Sequence, residues 1–70
     1  MANTYTAVTK QEGAWWIGWI EEIPGVNCQE RTRESLLVSL RTTLAEALEL
    51  NRADAIRAAA SDYTEESVTV

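Results

Sequence analysis

Between residues 14 and 20 the chain is apolar on both faces of an extended strand. Trp15, Ile17 and Trp19 alternate with Trp16, Gly18 and Ile20, and successive side chains of a strand point to opposite sides. Neither face is polar, so this strand is predicted to be central, with material over both sides. Residues 4–10, Thr-Tyr-Thr-Ala-Val-Thr-Lys, are rich in β-branched and aromatic types and predict a strand before it. The link Gln11-Glu12-Gly13 ends in glycine, a hairpin signal. After the central strand come Glu21, Glu22 and Ile23, a Pro24-Gly25 turn, and a short edge strand over 26–29.

The period then changes from two to 3.6. Thr32 is placed to cap a helix, and Glu34 suits the positive end of its dipole. Leu36, Leu37, Leu40, Leu44, Ala47, Leu48 and Leu50 fall within roughly 160° of helical arc, with Ser39, Thr42, Glu46 and Glu49 opposite. Asn51 offers a break, and residues 51–62 either continue this helix with a kink or form a second, shorter one. Residues 66–70, Glu-Ser-Val-Thr-Val, alternate as a last strand.

The predicted class is therefore α+β, in the order β-β-β-α-(α)-β. The first three strands form a meander, and the last enters the sheet after a right-handed crossover. Landing beside strand one, it gives a four-stranded mixed sheet in the order 3-2-1-4, with one long helix packed on one face. The face left over carries either Trp16 and Ile20 or the Trp15/Trp19 pair.

Length and charge narrow the function. Seventy residues make one domain whose core is small unless something adds to it. Cys28 is alone, and there is no histidine, so neither an internal disulfide nor a structural zinc site is expected. Self-association, as a homodimer or higher homo-oligomer, is the remaining device. Eleven acidic against six basic residues give a net charge of −5, which argues against unaided nucleic-acid binding. The start Met1-Ala2-Asn3-Thr4 does not read as a signal peptide, and no apolar run is long enough to span a bilayer. A lone thiol fits a reducing cytoplasm.

Candidate chemistry is sparse. Glu21 and Glu22 are adjacent, so on a strand they point to opposite faces and do not act as a pair on one substrate. Two-metal and two-carboxylate sites need carboxylates converging from different elements. Glu12, Glu30, Glu34, Asp54 and Asp62 are the remaining candidates, and a solvated acidic rim is the expectation. No catalytic, metal or cofactor residues are assigned. The expected partner-binding set is Trp16 as anchor with Gly18 and Ile20 beside it, and Glu21, Glu22 and Glu30 as the acidic rim.

The run from Gly13 to Ile20, the segment Glu22-Ile23-Pro24-Gly25-Val26, and Thr32-Arg33-Glu34 opening a leucine-striped helix resemble the HicB-like antitoxin family. The resemblance covers nearly the whole chain, and the Glu-x-Pro-Gly turn before the Thr-capped helix is its most specific part. It implies a partial ribonuclease-H-like fold and a non-catalytic protein that binds and neutralises a small basic mRNA-cleaving toxin of the HicA-like kind. Many family members carry a further DNA-binding domain; here the chain reads as a single domain over 1–70 without one. Residues 4–10 hold no carboxylate where a true ribonuclease H needs its first metal ligand, so nuclease activity is not implied. The alternative is a stand-alone regulatory or small-ligand-binding module, and a metal-dependent ribonuclease ranks third.

Overall fold

In the computed structural model, which describes residues 4–70, three strands and one helix succeed one another in chain order. They are β1 (Ala7–Glu12), β2 (Trp15–Ile20), β3 (Asn27–Glu30) and α1 (Arg33–Ala59). The strands form an antiparallel meander in the order β1-β2-β3, with β2 in the middle. The assignment of Met1–Asn3 as something other than a signal peptide lies outside the described residues. No helix among the described residues is long and apolar enough to cross a membrane.

Both turns have a local cause. Glu12 pairs with Trp15, so the first hairpin closes on Gly13-Ala14, two residues later than the polar link suggests. Gly13 has φ +60° and Ala14 a negative φ, the combination of a type II′ turn, whose twist matches the flanking strands. Strand β1 accordingly starts and ends later than residues 4–10. The second turn has Pro24 followed by Gly25 at φ +89°, a type II turn closed by Val26 N–H donating to the Ile23 carbonyl. Helix α1 begins at the expected residue: Thr32 is extended, and its hydroxyl accepts from Ser35 N–H at 3.1 Å.

Helix and sheet meet over Gly18. A Cβ built there would lie 2.9 Å from the Val8 carbonyl oxygen and 3.1 Å from methyl carbons of both Leu36 and Leu40. The missing side chain lets the first turns of α1 lie directly on β2. Leu36 and Leu40 are buried there with Ile20 and Val26, flanked by Tyr5, Trp16, Ile23, Cys28, Leu44 and Ala47. Two polar struts join β3 to the helix: Ser39 donates to Glu30 at 2.7 Å, and the Cys28 thiol and Thr43 hydroxyl share a hydrogen bond of 3.4 Å.

Beyond Ala47 the helix outruns the sheet. Its 27 residues span about 40 Å, whereas a six-residue strand spans about 20 Å. The leucine stripe is therefore only partly used, and Leu50 remains 64% exposed. The radius of gyration is 15.2 Å, against about 11 Å for an ordinary 70-residue globule. The helix passes Asn51 without a break, because the alanine-rich stretch after it has high helix propensity. It ends in a γ-turn at Ala60 (φ 65°, ψ −79°), where Ser61 N–H donates to the Ala59 carbonyl.

The four-stranded mixed sheet does not form. Among the described residues no strand comes after α1, and residues 66–70 are exposed and irregular. The order 3-2-1-4 and the partial ribonuclease-H-like crossover are replaced by a three-stranded antiparallel sheet with one helix. Alternation of Val68 and Val70 predicts a strand only where a sheet edge receives it, and the long helix delivers these residues elsewhere.

Packing sets two expectations for stability. Leu40→Ala removes a fully buried side chain and should cost about 2–5 kcal/mol, whereas Leu50→Ala should stay within about 0.5 kcal/mol. Gly18→Ala should cost about 1–3 kcal/mol, because strand backbone and two core leucines must give way. Urea melts of the three variants against the parent check all of these. Equal midpoints for Leu40→Ala and Leu50→Ala would show that the helix is phased differently.

Candidate functional site: the uncovered sheet face

With α1 over one face, the opposite face of β2 presents Trp15, Ile17 and Trp19. Register fixes their neighbours: Glu12, Lys10 and Val8 on β1, and Gln29 and Asn27 on β3 beside Ile17 and Trp19. Trp15 is 36% exposed and Trp19 40%. These indoles sit four residues apart on one strand, about 13 Å, so they act as two separate anchors. A shallow depression of about 420 Å³ lies beside Trp19, lined in part by Ile17, Asn27 and Gln29.

Charge on this face is mixed. The Arg31 guanidinium lies 3.9 Å from the Trp15 ring centroid, a cation–π contact that holds the indole in place. Lys10 and Glu12 are paired at 3.2 Å. The net negative charge lies elsewhere. From residue 46 to residue 66 there are six acidic and two basic side chains, so four of the five net negative charges belong to the projecting helix and the C-terminal tail.

The expected partner-binding residues are distributed differently. Trp16, Gly18 and Ile20 are on the face that α1 covers, where Gly18 and Ile20 are buried and Trp16 packs against the core. They are the seat of the helix and not an open anchor. Of the two face assignments that the alternating pattern left open, the outward one is Trp15/Trp19. The three glutamates do not form one rim either. Glu30 pairs with Trp16 near the first hairpin, while Glu21 and Glu22 lie just past the opposite end of β2.

Each glutamate of that set has a distinct local role. Glu30 is half-buried and tied to Ser39. Glu21 is exposed, and its backbone N–H donates to the Thr6 carbonyl. The Glu22 carboxylate accepts from Thr6 N–H at 2.8 Å, latching the segment before β1 to the end of β2. That hydrogen bond holds the Glu22 carboxyl below its ordinary value of 4.5. Among the described residues no three His, Cys, Asp or Glu side chains gather closely enough to hold a metal ion.

The pattern over 14–20 contained the outward tryptophans; Arg31 had no such signal, because its partner Trp15 is on the neighbouring strand, remote in sequence.

Glu22 carries a pH dependence whose sign comes from its direction. A carboxyl held low in the folded state stabilises fully above the unfolded value near 4.5, and that contribution is lost as pH falls through the lower folded value. Glu22→Gln should melt below the parent above pH 4.5, and the two should converge in more acidic buffer. Thermal melts across that range measure this, and a gap that is constant with pH would show that the latch does not depend on charge.

Comparison with protein-family models, with characterised proteins and with solved structures finds no match to this chain.

Proposed function

We propose that this protein is a non-catalytic interaction module of the HicB-like antitoxin kind, which binds and neutralises a small basic mRNA-cleaving toxin. The uncovered Trp15/Ile17/Trp19 face carries the proposal. A sheet that buries one face under a helix and leaves two large indoles on the other has an interface's composition. Tryptophan and arginine are among the residues most enriched at binding hot spots, and here Arg31 already orders Trp15. The anchor role expected of Trp16 moves to Trp19, whose indole borders the open depression.

Division of labour comes from the charge map. The acidic second half of α1 and the residues after it supply the long-range attraction for a basic partner. The aromatic face supplies short-range contact area. Neither task needs a nucleophile, an acid–base pair or a metal ion. The Gly13–Val26 pattern and the Thr32-capped helix support the family resemblance, while the three-stranded sheet departs from that family's fold.

The test asks whether a small basic protein is encoded beside this chain and, with that protein, takes its RNA cleavage as the readout. Added in slight excess, the parent should suppress cleavage, and by itself should cleave no RNA with magnesium or manganese present. Trp19→Ala and Trp15→Ala should each weaken binding about tenfold or more, mainly through faster dissociation, with melting behaviour preserved. Trp16→Ala should instead lower thermal stability. Unchanged binding in both Trp15→Ala and Trp19→Ala would remove the open face from the mechanism, and metal-dependent cleavage by the protein alone would replace the proposal with a nuclease.

A further inference from the structure

Strand β1 is an edge of the sheet, with a groove beside it. The groove is about 310 Å³ and runs between the start of β1 and the helix, bordered by Tyr5, Ala7, Ile20, Leu37, Leu40 and Arg41. Its walls are mostly apolar, and an unpaired strand edge alongside such walls is a ready template for another extended segment. Arg41 stands at the groove and makes no ion pair among the described residues.

One segment of this chain has the matching chemistry. Residues 66–70, Glu-Ser-Val-Thr-Val, end in three consecutive β-branched residues and begin with an acid. On an extended strand Glu66 shares a face with Val68 and Val70, one carboxylate beside two valines, complementary to an apolar groove with one arginine. In the structure this segment contacts nothing that buries it, and Val68 is 87% exposed.

Geometry decides whose groove it fills. Past Ala60 the chain turns back along α1, and Glu65 reaches Arg52, its oxygen 3.9 Å from the guanidinium. From Arg52 to the level of Leu44, where β1 begins, is about 12 Å of helix, and to Arg41 about 17 Å. Five extended residues cover about 17 Å at most. Of residues 66–70, only the last one or two therefore come alongside the chain's own β1. A second copy has no such restriction.

We propose that residues 66–70 of one copy dock along the β1 edge and groove of a second copy, with Val68 and Val70 toward Leu37 and Leu40 and Glu66, on the same face, toward Arg41. Exchanged reciprocally, the contact closes a two-fold dimer. It adds backbone hydrogen bonds to an open edge and apolar area to a core of four buried residues. The Trp15/Ile17/Trp19 face stays free, so this contact and the toxin-binding proposal stand or fall separately.

Light scattering at micromolar concentration tests it on the full chain. The parent should return about twice 7.8 kDa. Val68→Pro, which removes a backbone donor from the docking segment, should return the single-chain mass with an unchanged circular dichroism spectrum. Trp15→Ala, Trp19→Ala and Leu50→Asp should keep the doubled mass, since none lies in the groove. A monomeric parent would overturn the proposal, whether the segment is loose or folded onto its own β1. So would a Val68→Pro protein that remains dimeric, or a dimer lost in Leu50→Asp but kept in Val68→Pro.

Discussion

Close approach of the Leu36 and Leu40 methyls to the bare backbone of Gly18 is the contact on which this architecture turns. Strand β2 carries bulky groups at all its other positions, tryptophan or isoleucine on either face. A helix laid over indoles would stand several ångströms off the sheet and leave voids that a small core cannot fill. Laid over glycine, it touches backbone. That choice selects the covered face, turns Trp16 and Ile20 into walls of the helix seat, and sends Trp15 and Trp19 outward. The exposed aromatic face is thus a by-product of where one side chain is absent.

Patterning along the chain revealed the elements better than their partnerships. Period-two alternation identified β2 and its central place, Pro24-Gly25 marked the turn, and Thr32 marked the helix start, because each depends on local backbone chemistry. The extent of α1 was less legible. Asn51 is a weak helix former, but an exposed asparagine costs only a few tenths of a kcal/mol relative to its neighbours, too little to stop a helix with Leu50 and Arg52 on either side of it. The fate of 66–70 was not legible at all. Strand character there depends on whether an edge lies within reach, and that distance is set by helix length.

Face assignment stayed open for a related reason. An apolar strand with two apolar faces gives no internal clue to which face meets the helix, and the clue lay in Gly18, whose meaning is tertiary. Glu21 and Glu22 read as a paired rim because they are adjacent in the chain. In space Glu22 is occupied by the Thr6 amide, and Glu30 by Ser39 at the other end of the sheet. Adjacency in sequence said nothing of these separate local contacts.

The projecting half of α1 also makes the molecule electrically lopsided. Peptide dipoles along the helix accumulate partial negative charge at its C-terminal end, and the carboxylates of Asp62, Glu65 and Glu66, which follow the helix, lie beside that same half. The two contributions have the same sign and share an axis some 40 Å long, so the monomer carries a permanent moment directed along its greatest dimension. A positively charged body exerts a torque on such a rod before touching it. For the basic partner proposed above, that torque would bias the angle of approach at low ionic strength, and salt would remove the bias.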